Sequence, residues 1–299
     1  MDAKKAFFYR QPLPALIEVT GEDAADFLHS QSSTDLRLPE GGARYGLWLD
    51  HRGRIVADAF TLRLGPERFL LVSTGCPAET IATKLEAFII ADDVSLRVVP
   101  AGTAVAFSED AGERAGLAVP HRGQWTGEAG GSLFRDERAK GGLIWWVGEG
   151  SGEEIVVRLA AAAEPLEAPA WTARRVRLGV CEVPADAGEG ETPHEAGLAR
   201  FVSFNKGCFP GQEVVARMER LGRAGRCLVR VTGSGAPPGA GLSALTVGGT
   251  PAGELRSRAP DGDGWVGLAL LKRKLRESAE AVTWQLENGA EVALEEEIS

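Results

Sequence analysis

Cys208 stands in the run Phe-Asn-Lys-Gly-Cys-Phe-Pro-Gly-Gln-Glu from Phe204 to Glu213, which aims a thiol at the start of a helix. Pro210 and Gly211 punctuate a turn, and Gln212 and Glu213 open a helical pattern. Val214, Met218 and Leu221 then recur at i, i+4 and i+7, with Val215 beside them. Arg217, Arg220 and Arg223 gather toward the far end, and Gly222 sits where a helix stops. A free thiol with a pKa near 8.5 is only about 3% thiolate at pH 7. A helix N-terminus contributes ~0.3–1 kcal/mol, less than one pKa unit, and leaves such a thiol mostly protonated. An ammonium within ~4–6 Å lowers the pKa by a further one to three units. Activation of Cys208 therefore hinges on where the Lys206 ammonium points. The alternative is a small buried cysteine in a glycine-lined turn.

Composition narrows the rest. A chain of 299 residues suggests two or three domains. Its 44% apolar and 25% charged content describe an ordinary globular protein. A net charge of −9 argues against a generic affinity for nucleic acid or acidic membranes. Apolar runs such as Ala87–Ala91 are far short of a membrane span, and Met1–Arg10 lacks a secretory pattern. A cytoplasmic location is expected. The cysteines at 76, 181, 208 and 227 form no C-x-x-C, and the histidines at 29, 51, 121 and 194 form no short ligand pair. No chain-encoded metal is expected. A P-loop is also missing, which removes ordinary nucleotide hydrolysis.

The elements that would position Cys208 read as α+β. Ala15–Val19 predicts a strand, and Ala24, Phe27 and Leu28 fall on one face of a following helix. Arg54–Leu64 and Arg68–Val72 predict strands. Pro77 opens a helix striped by Ile81, Leu85, Phe88 and Ile89, before a strand at Val94–Val99. Strand, strand, helix, strand is not a doubly wound order. Ala104–Phe107, Ser132–Phe134 and Leu143–Val147 follow as strands, with Gly123–Gly131 read as a loop. Helices are expected over Glu153–Ala163 and Trp171–Gly179, and Pro184–Pro193 is a long polar loop of the kind that is functional or mobile. After Gly222 short strands alternate with turns: Cys227–Val231, Leu245–Val247, Ala252–Ser257, Trp265–Leu270, Ala281–Gln285 and Glu291–Leu294. Asn288-Gly289 is a hairpin signal. The expected division is 1–100, an N-terminal α+β domain; 101–170, a middle α+β domain; 171–222, a return segment carrying the motif; and 223–299, a small β-barrel.

Lys206-Gly207-Cys208-Phe209-Pro210-Gly211-Gln212-Glu213 resembles the K-G-C-[YF]-x-G-Q-E signature of the YgfZ family, folate-binding proteins related to the T-protein of the glycine cleavage system. Gly21-Glu22-Asp23-Ala24 with Phe27-Leu28, Gln31 and Thr34-Asp35 is similar to the family's first helix. Gly53-Arg54-Ile55-Val56-Ala57-Asp58 is similar to its G-x-I-x-x-D strand. Arg175-x-x-x-Gly179, Pro193-His194-Glu195-Ala196-Gly197-Leu198 and Ala252-Gly253-Glu254-Leu255 continue the likeness in the same order, so that it runs along essentially the whole chain. The resemblance implies a T-protein-like multi-domain α+β fold around a tetrahydrofolate site, with a C-terminal small β-barrel. It also implies a role supporting iron–sulfur cluster assembly or repair, including clusters of tRNA-modifying enzymes, with client enzymes or assembly factors as partners. The alternative is a folate-dependent one-carbon (aminomethyl) transferase.

On this resemblance Cys208, Asp58 and Lys206 are candidates for the chemistry, and Asp58, Glu195, Arg175 and Arg217 for holding tetrahydrofolate or a derivative. Asp58 matches the T-protein carboxylate that sits by the folate; an anion there can orient or protonate a ring nitrogen. Glu195 can accept paired pterin N–H groups or serve as a cap or ion-pair partner. Arg175 suits an internal ion pair or the ligand's glutamate tail. Arg217 lies four residues after Glu213, a helical pairing distance. Tyr45, Trp48 and Phe60 can stack on a pterin or fill the core. Trp145 and Trp146 must face opposite sides of a strand, which offers one of them for exposure toward a partner.

Overall fold

The computed structural model describes residues 5–99, 102–222, 224–239, 241, 243–278 and 283–299. Arg223 and the first two residues of the expected strand Ala281–Gln285 lie outside the described residues. The chain runs β1 (Phe7–Leu13), β2 (Ala15–Thr20), α1 (Ala24–Gln31), β3 (Ala43–Leu49), β4 (Ile55–Gly65), β5 (Arg68–Ser73), α2 (Ala78–Glu86), β6 (Ser95–Val98), β7 (Gly102–Ser108) and α3 (Glu109–Arg114). It continues with β8 (Trp125–Glu128), β9 (Gly131–Arg135), β10 (Leu143–Glu149), α4 (Glu153–Ala160), β11 (Glu164–Pro165), α5 (Ala168–Arg177), a 3-10 turn (Ala199–Phe201) and α6 (Gln212–Leu221). The last part is β12 (Arg226–Ser234), β13 (Ser243–Val247), β14 (Thr250–Asp261), β15 (Gly264–Lys272), α7 (Arg273–Ser278), β16 (Trp284–Leu286) and β17 (Glu291–Glu297).

Three sheets result. One has the order β3-β4-β5-β2-β6, a second β11-β1-β7-β10-β9-β8, and β12-β15-β14-β13-β16-β17 close into a barrel. Side chains of β4 alternate between two cores. Ala57 and Ala59 pack with α1 and α2, while Phe60 and Leu62 enter a central core that the three sheets share. Asp58 shares the face of Phe60 and Leu62, so its carboxylate points into that central core. The barrel has its own interior, lined by Cys227, Val229, Leu245, Trp265 and Trp284 among others. Closure removes the exposed edges that an open sheet of these six strands would present.

Most expected elements form, and the misses have physical reasons. β1 belongs to the middle sheet, paired with β7 and β11, so the expected 1–100 unit loses its first strand to its neighbour. Gly123–Gly131 contains β8, paired with β9, where a loop was expected. Trp145 and Trp146 do face opposite sides, but both sides are covered, one by the central core and the other by α3 and α4. Neither indole is exposed. α2 ends at Glu86, which leaves Phe88 exposed. In α6 the buried residue is Val215, while Leu221 is exposed. The 288–289 turn forms as expected: Gly289 adopts φ 82° and its N–H bonds to the Leu286 carbonyl at 2.9 Å.

Two glycines seat the thiol loop. Gly211 caps α6 at φ 76°, and a Cβ there would lie 2.3 Å from the Asp50 carbonyl oxygen and 2.7 Å from Gly53 Cα. Gly53, at φ 71°, would drive its own Cβ to 2.9 Å from Val215. The β3–β4 turn and the start of α6 therefore meet backbone to backbone. Gly211→Ala must strain a left-handed residue and overlap backbone, together about 2–5 kcal/mol of lost stability. Urea unfolding checks this, the expected outcome being a lowered midpoint with unchanged slope.

Candidate functional site

The return segment delivers Cys208 by crossing the end of α1. Ser33 Oγ donates to the Phe201 carbonyl at 2.9 Å, and the Ser203 N–H donates to the Ser33 carbonyl at 2.8 Å. Lys206, only 6% exposed, then places its ammonium on the Ser32 carbonyl at 2.7 Å and on the His29 carbonyl. These are carbonyls at the C-terminal end of α1, which a cation satisfies well. Burial pushes the Lys206 pKa down to about 8, against the pull of Asp35, which exceeds that of Cys208. Lys206 thus anchors the loop, its donors directed at backbone, and its charge also acts on Cys208 from that position.

Cys208 is exposed, whereas Cys76, Cys181 and Cys227 are buried. Burial raises the pKa of all three, that of Cys76 to about 12. Beside Cys208 lies a cleft of about 550 Å³, within the range of small-ligand sites. Residues 208–214 line one wall, and Asp50, His51, Lys84 and Phe88 the other. The Lys84 ammonium sits 4.7 Å from the centre of the Phe88 ring. Sequence reasoning missed this second wall, because the residues come from the β3–β4 turn and the end of α2 and share no motif with the octapeptide.

Asp58 does not line that cleft. Its carboxylate is 1% exposed and every contact is internal. Tyr45 Oη donates to Oδ2 and Ser73 Oγ to Oδ1, each at 2.8 Å, and Arg138 Nη1 donates to Oδ2 at 3.3 Å. Burial raises its pKa, against the Arg138 charge. Arg138 is itself clamped to Asp136, through Nε at 3.0 Å and Nη2 at 2.8 Å, while Trp145 Nε1 donates to the same carboxylate at 2.8 Å. Burial of Asp136 is overcome by the Arg138 charge and these bonds, so its pKa falls. Tyr45, Trp48 and Phe60 are all core residues, and none offers a free ring face.

Glu195 and Arg175 are also committed. Glu195, 8% exposed, receives Arg226 Nε at 2.9 Å, the Thr192 N–H at 3.0 Å and Thr192 Oγ1 at 3.1 Å. Arg175 is buried between Asp186 at 2.5 Å, Glu182 at 3.2 Å and Ser257 of β14 at 2.5 Å, and so ties α5 to the barrel. This internal pairing also orders the 184–193 loop. Arg217 is exposed on α6. None of Asp58, Glu195, Arg175 and Arg217 lines the cleft beside Cys208. Among the described residues, no group of three or more His, Cys, Asp or Glu is arranged to hold a metal ion, and no helix is long and apolar enough to cross a membrane.

Residues 15–106 match the GCVT N-terminal domain. A chloroplastic Arabidopsis thaliana protein named as a transferase is 25% identical over 291 residues, covering 89% of this chain. The chain spans only 65% of that plant protein's length. The mitochondrial iron–sulfur cluster assembly factor IBA57 of Mus musculus is 28% identical over 284 residues, 86% of this chain and 75% of its own. Among solved structures, aminomethyltransferase T of the glycine cleavage system from Bartonella henselae superposes with a TM-score of 0.81 at 20% identity, over 98% of this chain and 85% of that one. The chain is thus GcvT-like in its N-terminal domain and has the aminomethyltransferase fold, barrel included.

Two outcomes follow from this geometry. The native chain should titrate one thiol rapidly with Ellman's reagent and four after unfolding, and Cys208→Ser should abolish the rapid one. For Asp58 the raised pKa means that the folded state keeps its proton to higher pH than the unfolded chain. Its contribution to stability is therefore present at low pH and falls as pH rises from about 4 through the folded pKa. Asp58→Asn does not titrate, so wild type should lose stability relative to it across that window. Urea unfolding at a series of pH values measures the difference; a constant difference would contradict the raised pKa.

Proposed function

We propose that this chain is an accessory protein of iron–sulfur cluster assembly or repair, working through the thiol of Cys208. The observation that carries the reading is the exposure of Cys208 at the lip of a cleft while the other three cysteines are buried. Thiolates are the natural ligands of iron–sulfur clusters, and a single thiol on a rigid loop suits transient handling in company with ligands from a partner. The similarity to a mitochondrial iron–sulfur cluster assembly factor over most of both chains supports the same reading. In this proposal the partners are iron–sulfur enzymes or assembly factors, with cluster-dependent tRNA modification among the processes served, and the compartment is the cytoplasm.

The aminomethyl-transfer alternative needs Asp58 beside a folate. Asp58 is sealed in the core, with all its hydrogen bonds made to protein. Of the residues expected to hold tetrahydrofolate, Asp58, Glu195 and Arg175 are each bonded to other groups of the protein, and Arg217 is exposed on α6.

Cells lacking the gene should show reduced activity of cluster-dependent enzymes, tRNA methylthiolation included. Wild type should restore it and Cys208→Ser should not, although the variant accumulates to the same level. Full restoration by Cys208→Ser would remove the thiol from the mechanism, and undiminished cluster-enzyme activity in the deletion would remove the function.

A further inference from the structure

The space in front of Asp58 is filled by a group with a particular shape. The Arg138 guanidinium lies with its carbon 5.0 Å from the centre of the Tyr45 ring and 5.1 Å from that of Phe60. Along one edge Nε and Nη2 meet the two oxygens of Asp136 at 3.0 and 2.8 Å. Nη2 also donates to Thr74 Oγ1 at 3.2 Å, and Nη1 to Asp58 at 3.3 Å. A planar group with paired N–H donors on a carboxylate and aromatic rings at its sides is also what the 2-amino-4-oxo edge of a pterin presents, since that edge contains a guanidine unit.

We propose that Arg138 is an intramolecular occupant of the ligand place before Asp58: its guanidinium makes the contacts a guanidine-bearing ring would make, and it keeps such a ring from Asp58. Arg138 comes from the turn between β9 and β10, whereas Asp58, Tyr45, Phe60 and Thr74 belong to the N-terminal part of the chain. Asp136 comes from the same turn as Arg138 and the other partners from the N-terminal part, so the contact also joins the two. This inference rests on the Asp58 network alone and is independent of the role given to Cys208.

The test uses the full chain as wild type, Arg138→Ala and Asp58→Asn. Thermal unfolding of Arg138→Ala is followed with millimolar methylguanidine or methylammonium, and 5-formyltetrahydrofolate is titrated into wild type and Asp58→Asn by calorimetry. The expected result is a lowered melting temperature for Arg138→Ala, partly regained with methylguanidine but not with methylammonium, while wild type responds to neither. In calorimetry, wild type and Asp58→Asn should behave alike, whether through equal affinity or through equal absence of heat. Failure of methylguanidine to stabilise Arg138→Ala would overturn the proposal. So would a loss of folate affinity of about tenfold or more on Asp58→Asn, with Arg138 present. If Arg138→Ala does not fold, the Asp58→Asn comparison decides, because that substitution preserves shape.

Discussion

A buried guanidinium shared by two carboxylates holds the centre of this molecule together. Arg138 and Asp136 lie in the turn after β9, and Asp58 lies on β4, so their attraction crosses the core where the two open sheets meet. Two carboxylates and one cation leave an excess of acid in a buried region. Tyr45, Ser73, Thr74 and Trp145 supply the donors and acceptors that make this tolerable. Such clusters are weak sources of net stability, yet removing Arg138 leaves buried acid uncompensated, commonly at about 3–5 kcal/mol. The network fixes how the sheets meet, and everything carried by the return segment is built on that junction.

The division between the two candidate chemistries follows. On an aminomethyltransferase fold, the carboxylate that the resemblance assigns to folate is turned inward and satisfied, while the thiol of the octapeptide faces outward. Arg175 and Glu195, which looked like ligand residues, bind the barrel and its approach loop to the rest of the chain. Polar residues that match a pattern need not touch a ligand. Here they are the fasteners between three packed sheets.

Much of the fold could be read from residues whose neighbours in sequence are also neighbours in space. The strands β2, β4 and β5 alternate because each sheet packs differently on its two faces, and Asn288-Gly289 encodes its own turn. β1 escaped notice because Arg10, Gln11 and Pro12 break its alternation and its partners lie in β7 and β11, far along the chain. Cys208 was legible as a thiol before a helix. Arg138 was not, since nothing near Asp136-Glu137-Arg138 reveals that a carboxylate 80 positions earlier completes its shell. The direction of Lys206 was likewise invisible, because it is decided by carbonyls of a helix more than 170 positions away.

That lysine has a bearing on how constant the thiol's surroundings are. An ammonium that gives up its proton near pH 8 still carries two N–H bonds, and it has two carbonyls to serve. Charge can therefore leave the anchor while its attachment points stay matched. Across the mildly alkaline range in which sulfur nucleophiles are usually assayed, the two carbonyls can be served with or without the charge, at the lower strength of a neutral hydrogen bond once it is gone.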